Sequence, residues 1–147
     1  MKQEIPRSQE YLNRNRTATK ILGVTGSIRE NSHNTRTLAI LLEIAASKFR
    51  AEVHLLNLGE TKLPFYNPSI TTTDLFYENI KKVSQAVNWA DAFVLALPDY
   101  HGSMSGTMKN FLDHFWEEFA GKTFGYLCTS HEKGLTVMDQ MRTVFAV

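Results

Sequence analysis

Gly26-Ser27-Ile28-Arg29-Glu30-Asn31-Ser32-His33-Asn34-Thr35 separates two segments of different periodicity. Before it, Ile21-Leu22-Gly23-Val24 is a short apolar run with the reach of a strand. After it, Leu38, Leu41, Leu42, Ala45 and Phe49 are spaced as one face of a helix, expected near 35–49. A loop that opens a helix presents unpaired N–H groups and the positive end of the helix dipole, which favour an anion. Ser27, Ser32, Asn34 and Thr35 add neutral donors, Gly26 permits close approach, and Arg29 supplies one fixed charge. These are the properties of a phosphate cradle. The same residues also suit an ordinary polar loop with Asn34 or Thr35 as the helix N-cap.

Two better-known phosphate motifs do not fit. A nucleoside-triphosphate loop needs Gly-Lys-Ser/Thr at the helix start, and this loop has no lysine. The dinucleotide fingerprint G-x-G-x-x-G is missing as well, since only Gly23 and Gly26 fall here. A set of mostly neutral donors suits a monophosphate held against a helix N-terminus.

Further along the chain, Ala51–Leu58 alternates partially, as an edge strand half open to solvent does. A loop with Pro64 and Pro68 follows. A second helix fits 74–90, with Asp74 as its cap and Phe76, Ile80, Val83, Val87 and Ala90 on one face. Ala92-Phe93-Val94-Leu95-Ala96-Leu97 is uninterrupted and apolar, which suits a parallel strand covered on both faces. A third helix is expected near 105–119, a fourth strand at 123–128 and a fourth helix at 135–145. Strands alternating with helices in this way imply an α/β fold, a parallel sheet joined by right-handed crossovers. Ligands of such sheets bind beyond the carboxyl ends of the strands, where the loops after the first, third and fourth strands would meet.

The loop after the third strand, Pro98-Asp99-Tyr100-His101-Gly102-Ser103, offers an aromatic ring, an imidazole and backbone that a flat heterocycle could lie against. A capped turn with its side chains satisfied is the alternative reading of Tyr100 and His101. The loop after the fourth strand, Thr129-Ser130-His131-Glu132-Lys133-Gly134, could reach another edge of the same ligand.

The 147 residues suit one domain, and the formal charge of +1, with basic residues dispersed, points to neither nucleic acid nor a membrane surface. No apolar run approaches the ~20 residues that span a bilayer, and no secretory signal is recognisable. A soluble, cytoplasmic protein is expected. Residues 1–19 are polar and read as a disordered N-terminal arm. The five His residues show no paired metal-ligand spacing, and the one Cys, Cys128, lies in an apolar run, so no metal site is expected. The nucleophile elbow G-x-S-x-G is absent, which argues against a Ser-His-Asp hydrolase.

Two motifs together resemble the NADPH-dependent FMN reductases of the flavodoxin-like superfamily. The G-S-x-R-x-x-S-x-N loop is present as Gly26 through Asn34, and P-x-Y-[NH]-x-S…G-x-[LM]-K-N-x-x-D as Pro98 through Ser103 and Gly106 through Asp113. The resemblance covers about residues 20 to 147. It implies a flavodoxin-like three-layer sandwich with a parallel sheet of order 2-1-3-4(-5). Relatives continue with a fifth strand and helix, so the FMN-binding domain at 20–147 is expected to be C-terminally incomplete. The third ligand loop carries one glycine, Gly134, where relatives often have a pair.

The resemblance also implies the site. Ser27, Arg29, Ser32, Asn34 and Thr35 would hold the phosphate of a tightly bound FMN. Pro98, Asp99, Tyr100, His101, Gly102 and Ser103 would line the isoalloxazine, with Ser130 at a further edge. The helix at 105–119, with Lys109, Asn110 and Asp113, would pack subunits into a dimer or tetramer. The implied activity is hydride transfer from NADPH or NADH to FMN and on to a small acceptor: a quinone, azo compound, free flavin or metal oxyanion. The cofactor carries that chemistry, so no catalytic acid, base or nucleophile is expected from the protein. A flavodoxin-type electron carrier and a flavin-free scaffold of the same fold are the alternatives. Near-neutral charge and Arg29 stand against the carrier, which tends to be strongly acidic with a Thr-rich phosphate loop.

Overall fold

The computed structural model describes residues 17–69 and 77–145. In chain order they form β1 (Lys20–Thr25), α1 (His33–Phe49), β2 (Glu52–Asn57), α2 (Tyr77–Trp89), β3 (Ala92–Tyr100), β4 (Ser103–Met104), α3 (Gly106–His114), a 3-10 turn (Glu117–Phe119), β5 (Thr123–Thr129) and α4 (Leu135–Val144). Residues 1–16 of the expected N-terminal arm, and Asp74 and Phe76 of the expected second helix, lie outside the described residues. No described helix is long and apolar enough to cross a membrane.

The long strands are parallel. β1 pairs with β2 on one side and β3 on the other, and β3 pairs with β5, giving the order β2-β1-β3-β5. The expected first-to-fourth strand order is therefore the observed one. β3 runs three residues beyond the apolar segment to Tyr100, then turns back into β4 through antiparallel pairs Asp99↔Met104 and Tyr100↔Ser103. This hairpin has no apolar signature. Its turn is made by His101 (φ 58°) and Gly102 (φ 73°), and successive positive φ values are what a two-residue type I′ turn requires.

Helices cover both faces. Leu38 and Leu42 of α1 pack over Ala96, Val53, Val94 and Leu127 on one side. On the other, Val83 and Val87 of α2, Met108 and Phe111 of α3, and Val137 and Met141 of α4 bury against Leu22, Val24, Phe93, Leu95 and Leu97. β3 is consequently enclosed, whereas His54 and Leu55 of edge strand β2 stay exposed.

The third helix is shorter than expected. Phe111, Phe115 and Phe119 share i, i+4 spacing, which continues the helical pattern on paper, but the helix stops at His114 and Phe115 adopts extended backbone (φ −132°, ψ 96°). The redirected chain sets Phe119 edge-on to Phe93 and Phe124, with ring centroids 5.3 and 5.5 Å away. Those two rings are themselves stacked at 5.0 Å, and Phe145 stacks on Phe124 at 3.8 Å. Aromatic packing with the sheet overrides the local helical period here.

At the opposite end of the sheet the backbone of the β1–α1 loop passes close against α3. A methyl group on Gly26 would lie 2.9 Å from Met108 Cβ and 2.9 Å from Ser105 Oγ, neither of them the far end of a flexible side chain. Gly26→Ala should therefore lower stability by about 1–3 kcal/mol in urea denaturation, as overpacked cores do. An unchanged midpoint would show that α3 yields freely.

Candidate functional site

The parallel register brings the carboxyl ends of β1, β3 and β5 to one edge of the sheet. After β1 the chain turns at Asn31 (φ 53°), and Ser32 then caps α1, its Oγ accepting from Thr35 N at 3.4 Å. The cap is thus Ser32, and neither Asn34 nor Thr35, because the helix begins two residues before the apolar periodicity does. Among the described residues, the His33 and Asn34 N–H groups of the first helical turn have no protein partner. Such groups are where an anion binds.

The side chains around this turn are tied into the sheet. Thr35 Oγ1 lies 3.1 Å from Thr25 Oγ1, and Ser27 N lies 3.5 Å from the same Thr25 oxygen. Asn34 is buried, and its Oδ1 accepts from Thr129 Oγ1 of β5 at 2.5 Å. The Asn34 carbonyl is thereby engaged and its amide donors are left for other partners. Asp99 joins the other two loops. Its Oδ1 accepts from Gly102 N and its Oδ2 from Ser130 Oγ, both at 2.8 Å.

Ser27, Arg29, Ser32, Asn34, Pro98, Asp99, Tyr100 and Ser130 come together around one cleft of about 330 Å³. Of the other expected site residues, Thr35 supports the loop through Thr25. His101 and Gly102 line an adjoining hollow of about 940 Å³, also bordered by Asp99 and Ser130. Ser103 lies apart, its Oγ 3.2 Å from Gln140 Nε2 of α4. Asn31, His33, Thr129 and His131 border the small cleft too. Asn31 and His33 occupy the x positions of the loop motif, whereas Thr129 and His131 belong to the loop after the fourth strand, which was expected to reach the ligand.

Tyr100, half exposed, also borders a cavity of about 960 Å³ walled by Ile28, Leu58, Leu63, Pro64 and Phe65. Asn110 holds that wall: its Nδ2 donates to Pro64 O and its Oδ1 accepts from Tyr66 N, each at 2.8 Å. The motif asparagine thus serves a contact within the chain, beside the i, i+4 ion pair of Lys109 with Asp113. Among the described residues, no group of three or more His, Cys, Asp or Glu side chains is placed to hold a metal ion.

A helix N-terminus with free N–H groups, small hydroxyl residues and one guanidinium beside a narrow cleft fits the phosphate end of a flavin mononucleotide. The aromatic hairpin next to it fits a planar ring. Fold and site together define a flavodoxin-like α/β protein. A model of the NADPH-dependent FMN reductase family matches residues 19–147, and the chain belongs to that family. It is 32% identical over 130 residues to an NADPH azoreductase of Bacillus sp. (strain OY1-2), covering 86% of this chain and 68% of that protein. It is 37% identical over 97 residues to the FMN-dependent NADPH-azoreductase of Staphylococcus aureus (strain USA300), covering 65% of this chain and 51% of the relative. The chain thus spans about half the length of that relative. The fold is shared with the flavoenzyme NAD(P)H:(acceptor) oxidoreductase FerB from Paracoccus denitrificans, with a TM-score of 0.72 at 23% identity over 86% of this chain and 70% of that one.

Burial pushes the Cys128 thiol above its usual pKa, and the nearby Asp99 carboxylate pushes it the same way. Both disfavour the thiolate, so Cys128 should be alkylated by iodoacetamide more slowly than a free cysteine at pH 8. Asp99→Asn should move the inflection of the rate–pH curve downward. An inflection at or below that of free cysteine in the wild type would contradict this environment.

Proposed function

We propose that this chain binds FMN across the cleft at the carboxyl ends of β1, β3 and β5, and reduces a small acceptor at the expense of NADPH or NADH. The observation that carries the reading is the convergence of the Ser27–Asn34 loop, Asp99–Tyr100 and Ser130 on one cleft at a helix N-terminus. Bound FMN supplies the hydride transfer. The protein's part is to bind and orient. Ser27, Ser32 and Asn34 offer neutral donors to the phosphate, and Arg29 contributes the one positive charge. Pro98 through Gly102 and Ser130 flank the ring, with Asp99 holding their two loops together. Thr35 and Ser103 act as supports. Azo compounds are the first acceptors to try, because the relatives are named for azoreductase activity.

Purified protein should bind FMN far more tightly than riboflavin. Arg29→Ala should weaken FMN by about ten- to a hundredfold, the worth of a hydrogen bond to a charged group. NADPH added under argon should bleach the flavin, and an azo dye should restore its colour, with parallel-line steady-state kinetics. Equal affinity for FMN and riboflavin would sink the assignment of the cradle; flavin binding without NADPH oxidation would favour an electron carrier.

We further infer that the chain self-associates through α3 and its surroundings, in the cytoplasm. Phe65 (88% exposed) and Trp116 (71% exposed) lie against or just beyond that helix, and exposed aromatic rings of this size favour an interface. Trp116→Glu should shift the sedimentation profile toward monomer. A wild type that sediments as a monomer at micromolar concentration would refute the association.

A further inference from the structure

We propose that Ser105 is a positioning residue for the phosphate cradle: its hydroxyl fixes the peptide on which the cradle begins. The inference rests on the FMN reading above. Ser105 lies between β4 and α3 and is only 3% exposed. Its Oγ has two partners. It accepts from Met108 N at 3.3 Å, capping α3, and donates to the carbonyl oxygen of Gly26 at 2.8 Å, across 79 residues of sequence.

Helix capping accounts for the first bond and leaves the second unexplained. Gly26 N donates to Ala96 O of β3 at 2.8 Å, so with Ser105 the Gly26 backbone is held at both its donor and its acceptor. In a trans peptide the N–H points opposite to the C=O. Fixing the Gly26 carbonyl toward Ser105 therefore directs the Ser27 N–H to the other side, where Thr25 Oγ1 lies 3.5 Å away. Ser27 is the first cradle residue to border the cleft. The absence of a side chain at Gly26 lets Ser105 come this close, since a Cβ there would sit 2.9 Å from its Oγ.

Ser105 is itself held from a third element. The neighbouring Met104 N donates to Gln140 Oε1 of α4 at 2.9 Å, and α4 is anchored by the fully buried Val137 and Met141. The cradle is thus referenced through Ser105 to the half of the molecule that carries the hairpin.

The test separates donor from cap. Glycine is nearly as good an N-cap as serine, whereas alanine is a poor one, and neither can donate to Gly26. Dissociation constants for FMN and for riboflavin, with thermal midpoints, are measured for wild type, Ser105→Gly and Ser105→Ala. Loss of one neutral hydrogen bond behind the cradle should weaken FMN by roughly three- to tenfold in both variants. Riboflavin, which has no phosphate, should bind as it does to wild type. The FMN-to-riboflavin ratio should therefore fall equally in both, while the midpoint falls further for Ser105→Ala. A merely structural serine would move the midpoint and leave the ratio alone. An unchanged ratio in Ser105→Gly overturns the inference, even if Ser105→Ala changes it, because the cap would then be responsible. If wild type itself shows no preference for FMN, the cradle reading falls and this inference with it. A strong wild-type preference with an unchanged variant ratio refutes only the role of Ser105.

Discussion

Everything at the site depends on the burial of β3. Its residues Leu95, Ala96 and Leu97 are fully enclosed between α1 on one face and α2, α3 and α4 on the other, with β1 and β5 hydrogen-bonded on either side. A parallel strand in that position cannot slip, because a one-residue shift would exchange its faces and break both ladders at once. Its carboxyl end is therefore the best-fixed point on the ligand edge. Asp99 stands there, and its two carboxylate oxygens extend that rigidity to the His101-Gly102 turn and to the loop after β5.

The loop after β1 is held differently. It borrows its order from neutral hydroxyls: Thr25 under Thr35, Thr129 on Asn34, and Ser32 at the helix start. Hydroxyls and an amide oxygen paired in this way favour one conformation without placing a charge in the interior. The one positively charged side chain of the loop, Arg29, stays exposed, as does the neighbouring Glu30. Positive potential at this turn then comes from the α1 N-terminus and one exposed guanidinium, an arrangement that favours an anion approaching from water.

The sequence was legible where one signal decided the outcome. The unbroken apolar run of β3, the strand–loop–helix switch at 21–49 and the edge character of β2 each follow from periodicity, and strand order follows from the alternation of elements together with the family resemblance. What escaped reading depends on partners distant in the chain. Ser32 was visible as a polar residue, but capping by Asn34 or Thr35 was equally consistent with the local pattern. Phe115 and Phe119 continued the helical spacing of Phe111, and only the Phe93–Phe124 stack shows why the helix ends. Ser105, at the start of the expected third helix, could be read only as a cap, and Gln140 carried no signal, since their partners Gly26 and Met104 lie 79 and 36 residues away.

Tyr100 stands between two compartments of opposite character. On one side the small cleft is walled by Ser27, Arg29, Ser32 and Asn34; on the other the larger cavity is walled by Ile28, Leu58, Leu63 and Phe65. The two are held by separate devices, the first by hydroxyls bonded to β1 and β5, the second by the Asn110 amide gripping Pro64 and Tyr66. Gly26 and Ile28 of the cradle loop, and Ser105 beneath it, also line the larger cavity, so the two walls share residues although their main supports differ. On the proposed reading, the hydroxyl side would hold the anionic cofactor and the apolar side would be open to a second ligand, with Tyr100 common to both.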